Sequence, residues 1–187
     1  MLAEVHRRLA KEWGIVASEN DHARFAQSPS NWPLYADAPA ALRYLKRFFK
    51  LVILSNADRQ TFGLANLRLE AKFDAIFTGP EIGRCKPDPK PFEHMAERLA
   101  KLGVERRQIL HVAHSLQRDQ APASRCDVAF AWIDRPVTRP GASTPTLVEP
   151  PAHPTWEYRF ASLVDMVKAH QDRKSTRLNS SHRTGSR

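Results

Sequence analysis

The sequence predicts an α/β protein whose core is a mostly parallel sheet covered by helices. Along the 187 residues, apolar runs of strand length alternate with apolar positions at helical spacing, which is typical of strand–helix–strand units with right-handed crossovers. Three segments also place polar groups just after an apolar run: LVILSN at 51–56, GRCKPDPKPF at 83–92 and ILHVAHSLQRD at 109–119. Side chains at the carboxyl ends of parallel strands converge on a ligand crevice.

The amino-terminal part is predicted to lead into this sheet through helices. Apolar residues at helical spacing predict an amphipathic first helix, namely Leu2, Val5, Leu9 and Trp13. The segment 18–37, which is polar and contains prolines, is predicted to be a connection. A helix over 38–49 then leads to a strand at 50–54, because helical apolar spacing gives way to a continuous apolar run.

The alternation continues toward the carboxyl terminus. We predict a helix over 58–69, a strand over 74–78, a helix over 89–102 that Gly103 would cap, and strands over 109–113 and 128–133. The segment 135–155 contains six prolines and is predicted to be a surface loop, and 159–170 is predicted to form the last helix.

The composition is that of an ordinary globular protein, with 42% hydrophobic and 26% charged residues. No apolar run approaches the roughly 20 residues needed to cross a bilayer, and the charged start argues against a secretory signal. Cys85 and Cys126 have no metal-type spacing and cannot form a disulfide framework, so we expect a cytoplasmic protein.

Much of the net charge of +9 lies at the carboxyl terminus. Residues 173–187 carry five basic residues and no acid, and without them 24 basic residues face 20 acidic ones. This segment has no apolar periodicity and resembles translated adaptor or vector sequence, so we predict a disordered tail outside the domain. A basic tail that binds nucleic acid is the alternative. No aromatic residues are interleaved with its charges, so we predict no nucleic-acid partner.

Ser55 and Asn56 are candidate anion-binding residues at the end of the LVIL run. A hydroxyl, an amide and free backbone N–H groups at a helix start could hold a carboxylate or a phosphate. Capping of the following helix by the same two side chains is the alternative.

Lys86 is a candidate for a positioned charge. It lies in a loop restricted by Gly83, Pro87 and Pro89, from which its ammonium could neutralise an anion or keep a nearby carboxylate ionised. An exposed lysine before a helix is the alternative. Asp88 is predicted to be the structural N-cap of that helix.

His111 and His114 are three residues apart, but we predict no metal site. Within its strand His111 would point away from the crevice or into packing, and no suitable third ligand lies near in sequence. Ser115 could cap the next helix, and Asp119 on that helix could face the strand ends and orient Lys86 or a water.

Together these segments resemble the motifs of the haloacid dehalogenase superfamily of hydrolases. The resemblance covers about 35–135: Ser55 and Asn56 after their strand resemble the second motif, Lys86 in KPDP the third, and HVAHSLQRD ending in Asp119 the fourth. The segments SNADR, KPDPKPF and HVAHSLQRD are most similar to the corresponding motifs of the type II 2-haloalkanoic acid dehalogenases. It implies a Rossmann-like core with a helical cap.

The resemblance also implies a division of the chain and a missing part. The core would cover 31–172, and 1–30 would be the remnant of the cap. The family reaction needs an aspartate at the end of the first core strand, which attacks carbon to form an ester, and no such strand is found here. We therefore expect that an upstream segment has been lost, with little or no turnover, two exposed sheet edges and marginal stability.

In the dehalogenase branch, the resemblance implies a role for each polar residue. Ser55 and Asn56 would hold the substrate carboxylate, and Lys86 would support the charge of the nucleophile. Ser115 and Asp119 would position Lys86 and the hydrolytic water.

His114 separates this hypothesis from a Mg²⁺-dependent phosphatase. Phosphatases of the superfamily usually carry an acidic metal ligand where His114 stands, so we favour a dehalogenase without metal or other cofactor and place His114 on the substrate side. Some dehalogenases have a tyrosine shortly after the KPDP loop, and this chain has Phe92 there, so one polar contact of the site is absent.

A non-catalytic binding protein is the third hypothesis. The predicted partner is a small anionic substrate rather than a membrane, and a homodimer is left open.

Overall fold

The computed structural model describes residues 2–135 and 156–183, and it confirms the mixed α/β fold. Its helices are α1 (Leu2–Glu12), α2 (Glu19–Gln27), α3 (Ala38–Lys46), α4 (Arg59–Leu69), α5 (Gly79–Ile82), α6 (Lys90–Ala100), α7 (Ala121–Arg125) and α8 (Leu163–Arg183). Its strands are β1 (Val52–Ser55), β2 (Ala75–Thr78), β3 (Leu110–Ala113), β4 (Ala129–Ile133) and β5 (Tyr158–Phe160). Short 3₁₀ turns cover Ser28–Asn31 and Arg106–Gln108, and a π-helical turn covers Leu116–Gln120.

The strands pair in parallel, as the alternating pattern predicted. β1 pairs with β2, so that Ser55 lies opposite Thr78. β4 lies between β3 and β5 and pairs with both. α4 lies between β1 and β2, and the π-helical turn and α7 lie between β3 and β4. The polar residues after β1 and β3 stand at the carboxyl ends of these parallel strands.

One apolar core joins the two groups of strands. Leu54 of β1, Phe92 of α6 and Phe130 of β4 belong to the same buried cluster. The buried face of α6 consists of Pro91, Phe92, Met95, Ala96 and Leu99. The helical spacing of Phe92, Met95 and Leu99 is what predicted this helix from the sequence, whereas Leu102, which was counted with them, is exposed.

Two strand edges beside this core have no strand partner among the described residues. Within residues 2–135 and 156–183, β1 pairs only with β2, and β3 pairs only with β4. Lys86 spans the space between them, because its Nζ donates both to the Leu54 carbonyl of β1 and to Asp119, which follows β3.

The prediction that 18–37 is only a connection is wrong, because this segment contains α2 and a 3₁₀ turn. The Ser18 side chain accepts a hydrogen bond from the Asp21 N–H, and the Asp21 carboxylate accepts one from the Ser18 N–H. This capping box starts the helix. α2 buries only His22, so apolar periodicity could not reveal it. Whether α1 and α2 are the remnant of a cap stays a prediction.

The carboxyl-terminal elements also differ from the prediction. β5 pairs with β4, so the last helix begins at Leu163 rather than at 159, and it continues to Arg183. It therefore overlaps the segment 173–187, whose origin outside the domain stays a prediction. Nearly all of the predicted loop 135–155 lies outside the described residues. None of the helices in the described ranges has the length and apolar character that a bilayer crossing requires.

Candidate active site

The Lys86 loop is clamped to the end of β1 by Asn56. The Asn56 side-chain nitrogen donates to the Lys86 carbonyl oxygen (2.9 Å), and the Lys86 backbone N–H donates to the Asn56 side-chain oxygen (2.8 Å). The peptide bond between Lys86 and Pro87 is cis. Asn56 thus holds the loop that carries Lys86, and the second N–H of its amide stays available for a ligand.

The Lys86 ammonium lies between the two groups of strands. Its Nζ donates to the Leu54 carbonyl oxygen (2.9 Å) and to Asp119 Oδ1 (2.5 Å). The Lys86 and Asp119 side chains are 12% and 9% exposed, so this ion pair is shielded from water. An ammonium has three N–H groups. Leu54 and Asp119 accept two of them, and the third can serve an anionic ligand.

Asp119 is held in its ionised form by its neighbours. Burial on its own raises the pKa of Asp119, but the hydrogen bond from His111 and the charge of Lys86 outweigh it, so the pKa lies below its usual value. His111 Nε2 lies 3.0 Å from Asp119 Oδ1. The site therefore contains a fixed negative charge between two hydrogen-bond donors.

The sequence prediction for His111 was correct in part. It was expected to point away from the crevice or into packing. Its ring does pack against Phe92, edge-on at 4.8 Å between ring centroids, but its Nε2 also contacts Asp119. A polar side chain inside the apolar strand ILHVA was the available signal, because a buried imidazole needs a hydrogen-bond partner.

The two predicted serines accept backbone hydrogen bonds. Ser55 Oγ accepts from the Ala57 N–H (3.0 Å), and Ser115 Oγ accepts from the Arg118 N–H (3.1 Å). Each hydroxyl keeps a hydrogen that it can donate to an anion. Ser115 caps its turn as predicted, whereas α4 is capped by Asp58 instead of Ser55 or Asn56.

His114 stands at the end of β3 and is exposed. Its Nδ1 lies 2.9 Å from the Ile133 carbonyl oxygen, which can only accept, so Nδ1 carries the hydrogen. Trp132 Nε1 donates to the His114 carbonyl oxygen at 3.0 Å. β4 thus fixes the orientation of His114. Asn56 and Asp119, in contrast, bind Lys86 directly, so the structure brings Asn56, Lys86 and Asp119 together.

Asn56→Ala is expected to loosen the Lys86 loop without removing a charge. The change leaves the Lys86 N–H and C=O without their partner, which should lower the free energy of unfolding by about 1–3 kcal/mol. Urea denaturation measures this loss. Asn20→Ala, at an exposed position, is the control and should change the value by less than about 0.5 kcal/mol. Equal losses in the two variants would contradict the clamp.

The lowered pKa of Asp119 predicts a loss of stability in acid. Because the folded-state pKa lies below that of the unfolded chain, ionised Asp119 contributes stability above the unfolded value of about 3.9. This contribution is lost as the pH falls through the folded-state pKa. We expect the stability difference between the chain and Asp119→Asn to be largest at neutral pH and to shrink below about pH 4. Urea titrations across this range measure it, and a difference that does not change with pH would contradict the prediction.

Comparison with known proteins decides the family. The family model described as haloacid dehalogenase-like hydrolase matches residues 2–124. The chain belongs to the haloacid dehalogenase-like hydrolases. This confirms the resemblance seen in the three sequence segments, and the match to the family includes Asn56, Lys86 and Asp119.

Two curated relatives within the family are phosphatases. The phosphoserine phosphatase of Thermus thermophilus is 32% identical over 114 residues, which are 59% of this chain and 45% of the relative. The N-acylneuraminate-9-phosphatase of Rattus norvegicus is 31% identical over 115 residues, which are 60% of this chain and 45% of the relative. The chain spans less than half the length of these family members.

A solved structure of the family shares the fold. The L-2-haloacid dehalogenase of Xanthobacter autotrophicus with chloropropionic acid covalently bound gives a TM-score of 0.76 at 19% identity, over 90% of this chain and 74% of that chain. At this identity the likeness shows the fold alone. It confirms the Rossmann-like arrangement that the resemblance implied.

Proposed function

We propose that the site serves the hydrolysis of short 2-haloacids through an ester intermediate on an aspartate. The observation that carries the proposal is the shielded pair of Lys86 and Asp119 at the strand ends, with hydrogen-bond donors around it. A buried ammonium with one N–H that has no acceptor among the described residues is suited to an anionic group. Ordered donors at the ends of parallel strands are suited to a small carboxylate.

Substrate binding is assigned to the residues after β1 and β3. The free hydroxyl hydrogen of Ser55 and the remaining amide N–H of Asn56 would donate to the substrate carboxylate. His114 is assigned to the same side, because its ring is exposed at the end of β3. Its Nδ1–H is engaged by the Ile133 carbonyl oxygen, so Nε2 would face the ligand, and it would donate to a carboxylate only with a hydrogen of its own.

The chemical step needs a nucleophilic carboxylate within reach of Lys86. An aspartate oxygen attacks the carbon that bears the halogen, the carbon–halogen bond breaks, and halide leaves. Water then attacks the ester carbonyl and releases the hydroxy acid. The third N–H of Lys86 would keep the nucleophile ionised, while Ser115 and Asp119 would position Lys86 and the water.

The open edges of β1 and β3 are where we place the strand that supplies this aspartate. The described residues on these edges offer no such carboxylate, since Asp119 is bound to Lys86. We therefore expect little or no turnover from the chain alone. Turnover should appear when an apolar strand peptide that ends in aspartate pairs with these edges.

Binding and halide release test the proposal. The chain is titrated with 2-chloropropionate while its backbone amide signals are followed by NMR, and we expect shifts at Ser55, Asn56 and Lys86. Halide release is then measured without added metal, with and without the strand peptide. Absence of both binding and release over a panel of short 2-haloacids would overturn the proposal.

A Mg²⁺-dependent phosphatase is the second candidate, because the curated relatives described above are phosphatases. Mg²⁺ prefers oxygen ligands in octahedral array. His114 offers nitrogen, Asp119 Oδ1 already binds two donors, and no group of three or more suitable ligands occurs within the described residues. These residues do not fit a Mg²⁺ site. Phosphate release from a phosphomonoester that stops with a chelator would favour this candidate instead.

A further inference from the structure

His111 is a buried polar residue to which the proposed reaction assigns no role. Its side chain is 11% exposed, and its Nε2 lies 3.0 Å from Asp119 Oδ1, the same oxygen that accepts from Lys86. An ionised carboxylate has no hydrogen to give, so Nε2 must carry the hydrogen of this bond. His111 is therefore a second donor to Asp119.

The core fixes the direction of this hydrogen bond. The His111 ring meets Phe92 edge-on at 4.8 Å and lies 6.0 Å from the Phe130 ring, measured between centroids. Phe92 and Phe130 are 0% and 2% exposed. Because close-packed interiors restrict side-chain rotation, the imidazole is held with its N–H toward Asp119.

We infer that His111 is a positioning residue that acts through Asp119 to aim the Lys86 ammonium at the reacting groups. The inference rests on the proposed function, which assigns Asp119 and Lys86 to the reaction. Within the described residues, Asp119 is the charged group that His111 contacts, and Lys86 binds the same Asp119 oxygen. From the other elements packed against it, α6 and β4 present the phenyl rings of Phe92 and Phe130.

The need for a second donor follows from the chemistry of Lys86. An ammonium is a point charge on a flexible stem and does not set the plane of a carboxylate by itself. The terminal torsion of an aspartate is broad, so a carboxylate held only by Lys86 could rotate. The N–H of the fixed His111 ring donates to Asp119 from a second direction, so the Asp119 carboxylate has one preferred orientation.

The test measures the titration of the Asp119 carboxyl by ¹³C NMR in the free chain. His111→Phe keeps a ring but removes the donor, so we expect the titration midpoint to rise by about one pH unit. His111→Gln restores an N–H and should recover most of the shift. His94→Phe, on the ring that packs against Phe77, is the control and should leave the midpoint unchanged. An unchanged midpoint in His111→Phe overturns the inference.

A second measurement in the unsubstituted chain covers the case in which His111→Phe does not fold. The ¹⁵N signals of His111 should show hydrogen on Nε2, and Asp119→Asn should shift that signal. A bare Nε2 overturns the inference. Neither measurement uses a substrate, so absence of halide release would remove the proposed function while the NMR results decide the role of His111 on their own.

Discussion

Lys86→Met is expected to be among the most damaging single changes in this chain. Methionine keeps much of the volume of the lysine stem but has no charge, so Asp119 would stay buried without its cationic partner. Removing one partner of a buried ion pair costs about 3–5 kcal/mol. We expect a loss of this size in the free energy of unfolding at neutral pH, measured by urea denaturation.

Two further variants separate the ion pair from other effects of the change. Lys101→Met removes a lysine at the exposed end of α6 and should alter stability by less than about 0.5 kcal/mol. Adding Asp119→Asn to Lys86→Met should cost less than the sum of the two single changes, because the partners interact directly. Equal losses for Lys86→Met and Lys101→Met would contradict the buried ion pair.

Phe92→Ala is expected to destabilise the core and the site together. Phe92 is fully buried in the cluster that joins Leu54 to Phe130, and truncating such a phenylalanine costs about 3–5 kcal/mol. The change also removes the ring against which His111 packs. Thermal or urea unfolding measures the loss.

Phe49→Ala is the matched control for the core prediction. Phe49 is 48% exposed, and the same truncation there should cost clearly less, because part of its surface is already in water. If both phenylalanine variants lost the same stability, Phe92 would not be the centre of the core.

The positions of Lys86 and Asp119 could be predicted from the sequence, although 33 residues separate them. Each follows an apolar run, and parallel strands bring their carboxyl ends to one edge of the sheet. Asn56 was placed in the same region for the same reason. Its role in holding the Lys86 backbone could not be predicted, because side-chain to backbone bonds between distant loops leave no periodic signal.

The missed features share a different cause, which is the absence of an apolar pattern. α2 is set by the local bonds of Ser18 and Asp21 rather than by a buried face. β5 spans only three residues, too few to show alternation. Asp119, which His111 contacts, lies in the π-helical turn at Leu116–Gln120, and a turn of this kind leaves no periodic signal in the sequence.

The two hydrogen bonds of the Lys86 ammonium make formation of the proposed reactive site depend on complete folding. Its ammonium touches β1 on one side and Asp119 on the other, and these belong to strand groups that do not pair with each other in the described residues. A partly folded chain, with only one group formed, cannot assemble this charge arrangement. The reactive centre would therefore form only when both groups of strands are folded, so that an incompletely folded molecule would catalyse no reaction.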